Sequence, residues 1–170
     1  PGARHVKYHT ENPQDTIARF VINTAKLSRQ QNLDLCILCH GGRLQKAKPS
    51  FSFIAGDTLS NYFRMDTNRK YVPSIDVHGN QFGLLASSKC FIRSEMTCLS
   101  CHSPHDKERG NNAVFSQRCM SCHSQTHGNS CTVKVDKAVD IQANCIDCHM
   151  PKQRSMAIAV LLPGDEVPTA

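Results

Sequence analysis

The sequence predicts a mainly irregular chain with short α-helices and little β structure, and three observations support this fold class. Only 6% of the 170 residues are aromatic and tryptophan is absent, so side chains alone would form a thin core. Glycine, proline, serine and asparagine interrupt the chain at short intervals. One five-residue pattern, Cys-x-x-Cys-His, occurs four times, starting at positions 36, 98, 119 and 145. Bound groups rather than side chains are therefore expected to organise the interior.

The repeated pattern is the one by which a c-type haem is attached to protein. Its two cysteines lie on one side of a helical turn, where both thiols can add to the vinyl groups of one porphyrin. The next residue, histidine, can then bind the iron as proximal ligand. The four sites comprise Cys36, Cys39 and His40; Cys98, Cys101 and His102; Cys119, Cys122 and His123; and Cys145, Cys148 and His149. The predicted fold is that of a haem-cored multihaem cytochrome c with four haem c groups.

Zinc ribbons also use Cys-x-x-Cys pairs, and four pairs could bind two zinc ions. Such sites have no use for a histidine after each second cysteine. Histidine is 9 of 170 residues, so four trailing histidines by chance have a probability on the order of 10^-5. The sequence favours haem over zinc or a redox dithiol.

Five further histidines are available to bind the irons from the opposite face: His5, His9, His78, His105 and His127. Four suffice, and His5, His78, His105 and His127 are the stronger candidates. Two imidazoles per iron would give low-spin haems that rearrange little on reduction, which suits electron transfer. Methionine is an alternative axial ligand, but the surplus of histidine makes it unnecessary.

Two cysteines, Cys90 and Cys131, lie outside the motifs. In an exported protein such a pair suggests a disulfide. It would close a loop of about 40 residues, with a stabilisation of roughly 4 kcal/mol. Two free buried thiols are the alternative.

The chain is interpreted as one domain, residues 1–170, with the first haem in about 1–80, three haems in about 81–152 and an apolar tail in 153–170. Ser28 and Gln31 form a capping-box pattern that predicts a helix from about Arg29 to Cys39, ended by Gly41-Gly42. Aromatic residues in 50–72 indicate a small hairpin or loop. A short helix is expected from Gln81 to Met96, and polar connectors in 103–118 and 124–144.

The formal charge of +6 does not indicate nucleic-acid binding. Four ferric haems with their propionates would add roughly −4, which brings the loaded protein near neutrality. Thioether attachment takes place outside the cytoplasm, so we expect an exported protein, periplasmic or extracellular. The chain begins with proline and is expected to be a processed or truncated form. No apolar run reaches the length of a membrane span.

Two stretches carry a resemblance to a known family. Residues 87–105, with Cys98–His102 and His105, and residues 144–152, Asn-Cys-Ile-Asp-Cys-His-Met-Pro-Lys, resemble exported multihaem cytochromes c with doubled haem motifs, some fused to tetratricopeptide repeats. The opening Pro-Gly-Ala-Arg-His-Val is similar to the residues directly after an upstream haem motif in that family, in the pattern C-x-x-C-H-G-P-G-x-x-H-V. The last histidine there is a haem ligand, which favours His5 over His9. The likeness covers residues 1 to about 152, departs after Lys152, and implies a fifth motif upstream.

These features predict electron transfer, not enzymatic catalysis. Redox partner proteins are expected, for a soluble shuttle or a relay subunit alike. Copies of the chain joined head to tail in an extracellular filament are a further possibility, because heterologous contacts that do not close make fibres. A multihaem nitrite or hydroxylamine-type oxidoreductase would require an iron with an open position, and the surplus of histidine argues against it.

Overall fold

A computed structural model describes residues 2–65, 79–128, 131–133, 140 and 143–150. Of these residues, 45% are helical and 5% lie in strands. This confirms the expected combination of helices, irregular segments and little sheet. The candidate ligand His78 and the tail 153–170 lie outside the described residues.

The described residues form six α-helices, four short 3-10 turns and one pair of strands. The helices are α1 (Ala3–Glu11), α2 (Arg29–His40), α3 (Gln81–Ser87), α4 (Lys89–Ile92), α5 (Asn112–Met120) and α6 (Ile146–His149). The 3-10 turns are Thr24–Lys26, Leu59–Asn61, Cys98–Ser100 and Gln125–His127. Strand β1 (Leu44–Lys46) pairs antiparallel with β2 (Phe63–Met65), with Gln45 opposite Arg64. No helix in this part of the chain is long and apolar enough to cross a bilayer.

Helix α2 begins at Arg29, as the sequence predicts, and ends at His40, one residue beyond the predicted end. The Ser28 hydroxyl accepts a hydrogen bond from the Gln31 N–H at 3.3 Å, and the Gln31 side chain accepts one from the Ser28 N–H at 2.9 Å. This reciprocal capping box satisfies donors that a helix start otherwise leaves without partners. At the other end the Gly41 N–H donates to the Ile37 carbonyl at 2.8 Å. The first haem motif therefore forms the last turns of α2.

The apolar core of the described residues is small and lies beside the first motif. Leu33 and Ile37, one turn apart on α2, pack with Leu59, and each is at most 2% exposed. Asp34 is buried next to them, where its carboxylate accepts from the Leu59 N–H at 3.0 Å and the Gln30 amide at 2.7 Å. Partly buried side chains pack around this core: Leu44, Phe53, Phe63, Phe82, Phe91 and Cys98.

Arg29 ties α2 to the segment that leads into the second motif. Its guanidinium donates to the Met96 carbonyl at 3.1 Å and to the Phe91 carbonyl at 3.3 Å. It also lies 4.4 Å from the centre of the Phe91 ring. The regions of the first and second motifs therefore pack directly against each other.

The single helix expected from Gln81 to Met96 is wrong, because two helices occupy the segment. Ser88 separates them in an extended conformation, φ −76° and ψ 145°, and its hydroxyl accepts from the Phe91 N–H at 3.2 Å. Serine favours such a cap over a helix interior because its side chain competes for backbone donors. The backbone hydrogen bonds of α3 therefore stop at Ser88, and α4 begins there.

Further elements differ from the sequence expectations. Helix α5 lies largely within the segment 103–118, for which the sequence predicts a connector. It is capped by Asn111, whose side chain accepts a hydrogen bond from the Val114 N–H at 3.2 Å. Helix α1 lies in a segment for which no element was predicted. The strands at 44–46 and 63–65 show that the hairpin begins before the aromatic segment 50–72, whose first residues belong to the intervening loop.

Candidate haem attachment sites

The first motif lies at the end of α2, with Cys36 half-buried and Cys39 exposed. The His40 ring is exposed, and its Nδ1 lies 3.4 Å from the Gln81 side-chain oxygen on α3. With Nδ1 donating to this amide oxygen, the lone pair would be on Nε2. In metal-binding histidines, a hydrogen bond from the ring nitrogen that does not bind the metal orients the ring.

The second motif begins in the 3-10 turn Cys98–Ser100, which Thr97 caps: the Thr97 hydroxyl accepts from the Leu99 N–H at 3.3 Å. Burial, together with the neighbouring Cys36 thiol, raises the pKa of Cys98 to about 11. The first and second motifs, far apart in the sequence, are therefore adjacent in the structure.

The third and fourth motifs are held together by α5 and α6. Burial raises the pKa of the Cys119 thiol, and the Cys145 thiol makes a smaller contribution in the same direction. The backbone N–H of Cys145 donates to the hydroxyl of Ser116 at 3.0 Å, and Ser116 is completely buried. The serine of one helix thus fixes the start of the motif carried by the other.

The second motif also contacts the third. Burial raises the pKa of the Cys101 thiol, with smaller contributions from Cys90 and Cys122. The Arg118 guanidinium, which directly precedes the third motif, donates to the Cys101 carbonyl at 2.8 Å. The four motifs therefore lie next to one another in space in the order first, second, third and fourth.

The two cysteines outside the motifs, Cys90 in α4 and Cys131, are both exposed. The alternative of two buried thiols is therefore not what the described residues show. The disulfide between them stays a prediction.

The N-terminal histidines lie one turn apart on α1, with ring centres 4.6 Å apart. His5 Nδ1 lies 2.7 Å from the Arg19 carbonyl oxygen and must donate to it, which leaves the lone pair on Nε2. The Nε2 atom of His9 is buried and has no hydrogen-bond partner. A buried polar atom without a partner is costly, and binding a metal ion would remove that cost. His9, ranked below His5 from the sequence, therefore fits a ligand's position as well as His5 does.

The other candidate distal ligands in the described residues are exposed. His127 ends a 3-10 turn, and its Nδ1 lies 2.7 Å from the Ser124 hydroxyl. His105 lies in the loop after the second motif, where its backbone N–H donates to the Ser103 hydroxyl at 3.3 Å. The pairing of these imidazoles with particular irons stays a prediction.

An open recess of about 460 Å³ beside His102 tests whether the residues fit a haem. The Phe115 ring meets the His102 ring edge-on at 5.6 Å, and Lys107 and Arg109 also line the recess. Asp106 and Glu108 line the recess too, but the Glu108 carboxylate is paired with Arg118. The imidazole, the aromatic wall and the two cations suit an iron porphyrin, whose flat ring is apolar and whose two propionates are anionic. The residues present therefore fit the group that the motif implies.

Within the described residues, no three histidine, cysteine or acidic side chains converge as the ligands of a metal ion would. Comparisons with models of protein families, with curated proteins and with solved structures found no match.

The Ser116 hydroxyl gives a direct test of the contact between the third and fourth motifs. We expect Ser116→Ala to lower the free energy of unfolding by about 1–3 kcal/mol, because the Cys145 N–H loses its buried acceptor. Urea unfolding followed by circular dichroism measures this loss. The exposed neighbour Gln117→Ala serves as control and is expected to change it by less than about 0.5 kcal/mol. Equal effects of the two substitutions would contradict the assignment.

Proposed function

We propose that this chain is an electron-transfer protein that carries four covalently attached c-type haems and acts outside the cytoplasm. The observation that supports it most is the order of the motifs. The first contacts the second through Cys36 and Cys98, the second contacts the third through Arg118, and the third contacts the fourth through Ser116. Haems attached to these motifs would be neighbours, which is what electron transfer from one haem to the next requires.

Cysteines and histidines would bind different parts of each haem. The eight motif cysteines would form the thioethers, and His40, His102, His123 and His149 would bind the irons from the proximal side. Distal imidazoles would come from His5 or His9, His78, His105 and His127. The bound haems supply one-electron oxidation and reduction. An iron with an imidazole on each face has no position open to a substrate, which favours conduction over catalysis.

The protein could transfer electrons as a filament of copies or as a single soluble molecule. The two forms differ in whether a neighbouring copy contacts the N-terminal segment. Ile17, Phe20, Val21 and Ile22 are between 43% and 61% exposed, and Phe20 contacts the Tyr8 ring on α1, the helix that carries His5 and His9. This exposed apolar surface beside two imidazoles would suit a haem of a neighbouring copy, so we include an extracellular filament in the proposal. A soluble shuttle, or a relay subunit serving a catalytic partner, is the alternative.

The test is the intact mass and spectrum of the native, haem-loaded chain. We expect the mass of the polypeptide plus four haems, a c-type spectrum after reduction, and a low-spin ferric spectrum that nitrite and cyanide leave unchanged. A chain that carries zinc or no haem would overturn the proposal. A high-spin signal that is lost on addition of nitrite would favour the multihaem oxidoreductase instead. Electron microscopy that shows only monomers at high concentration would exclude the filament.

A further inference from the structure

One partly buried ion pair stands out because it joins two motifs. The Arg118 guanidinium binds the Glu108 carboxylate through both of its outer nitrogens, one of them at 2.6 Å. Its Nη1 also donates to the Cys101 carbonyl at 2.8 Å. The same carboxylate accepts from the Ser103 N–H at 3.2 Å. Arg118 is thus fixed by the residues on either side of His102.

The position of Arg118 on α5 makes this contact matter for the third motif as well. The residue after it is Cys119, the first cysteine of that motif. One turn earlier on the same helix, Phe115 meets the His102 ring at 5.6 Å and lies 5.6 Å from the guanidinium carbon. One short helix therefore contacts the second motif twice, through Arg118 at its backbone and through Phe115 at His102. The same helix carries Cys119, the first thiol of the third motif.

The pair is shielded from water but electrically balanced. The Arg118 side chain is 27% exposed and that of Glu108 is 14% exposed. The hydrogen bond from Arg118 lowers the pKa of Glu108 to about 2, so both groups are charged at neutral pH. An uncompensated charge at this place would act strongly on a nearby iron, because a partly buried charge is screened less than an exposed one.

We propose that Arg118 and Glu108 form a positioning pair that fixes the second motif against the third and, through its charge balance, sets the reduction potential of the haem held by His102. The inference rests on the proposed function, since it requires a haem at that histidine. Neither side chain is assigned to the iron itself. Both act through the backbone of the second motif and through their charges.

The two charges are expected to act in opposite directions. Reduction removes one positive charge from the haem, so a nearby positive charge favours the reduced form and a nearby negative charge favours the oxidised form. Glu108→Gln leaves Arg118 uncompensated and should raise the potential. Arg118→Gln leaves Glu108 uncompensated and should lower it. The double substitution removes both charges and should return the potential towards that of the native protein.

The experiment is a spectroscopic redox titration of the haem-loaded variants, combined with thermal unfolding. We expect each single substitution to shift the equilibrium constant of one haem by about tenfold, 59 mV for a one-electron couple, with opposite signs. Arg118→Lys keeps the charge and loses the two-point contact. It should keep the native potential while lowering the unfolding temperature, which separates charge from positioning.

Lys46 provides the control, because it is an exposed cation of β1 whose ammonium group donates to the Ser50 hydroxyl at 2.7 Å. Lys46→Gln should leave the potential of every haem unchanged. Single substitutions at Arg118 and Glu108 that shift the potential in the same direction, or not at all, would overturn the inference. If Arg118→Gln fails to fold, the upward shift of Glu108→Gln and the unshifted Arg118→Lys are still required. A native protein that contains fewer than four haems before any substitution would overturn the proposed function itself, which is a different outcome.

Discussion

Replacing Cys98 and Cys101 by alanine is expected to remove one haem from the protein and leave three. Each motif contains its own pair of thiols, so loss of one pair removes the covalent attachment at that site alone. The intact mass should fall by one haem, and the ratio of haem to protein should fall by a quarter. Because the second motif contacts Cys36 on one side and Arg118 on the other, electron transfer between the two ends of the row should slow as well.

The control for this experiment is the pair of cysteines outside the motifs. Cys90→Ser with Cys131→Ser changes as many thiols, and both residues are exposed. This variant should keep all four haems. Retention of four haems after loss of Cys98 and Cys101, or loss of a haem from the control, would contradict the assignment of the attachment sites.

Replacing Ile37 by alanine is expected to lower the free energy of unfolding by about 2–5 kcal/mol. Ile37 lies between the two cysteines of the first motif, is 0% exposed, and packs on Leu33 and Leu59. The substitution would leave a cavity in a core that has only two other fully buried apolar side chains among the described residues. Equilibrium unfolding in urea, on protein with the same haem content, measures the loss.

Two matched substitutions separate packing from position in the motif. Ile37→Val removes only one methylene group and should cost about 0.5–1.5 kcal/mol. Leu38→Ala changes the other residue between the same two cysteines, but Leu38 is 37% exposed, so its effect should be well below that of Ile37→Ala. Equal losses at the two positions would show that the motif, and not the core, responds to the substitution.

Features with local causes were predictable from the sequence. Helix α2 follows from the reciprocal contacts of Ser28 and Gln31, and the attachment residues follow from the spacing of thiols and histidine. The break at Ser88 was missed because a serine suits a helix surface or a cap, and only its neighbours decide between them. Helix α5 was missed because most of the segment 103–118 is polar and the most buried residue of the helix, Ser116, is not apolar.

Contacts between distant residues could not be predicted. Nothing in the sequence distinguishes Arg118, which joins two motifs, from Arg109, which lines a recess in the same region. The choice between His5 and His9 also depends on tertiary structure, because one imidazole faces the Arg19 carbonyl and the other has a buried nitrogen without a partner. A pattern of residue types records which atoms can bind iron, but not which iron they reach.

The small core has a consequence for how solution conditions act on the polypeptide. Its three apolar side chains lie within residues 33–59, and after Cys98 the one fully buried residue in the described part is Ser116. The later motifs are held instead by the Arg118 ion pair and by hydrogen bonds. Sulfate strengthens apolar burial, whereas a partly buried ion pair is screened only weakly by added ions. Concentrated sulfate would therefore stabilise the residues around the first motif and change the later motifs much less.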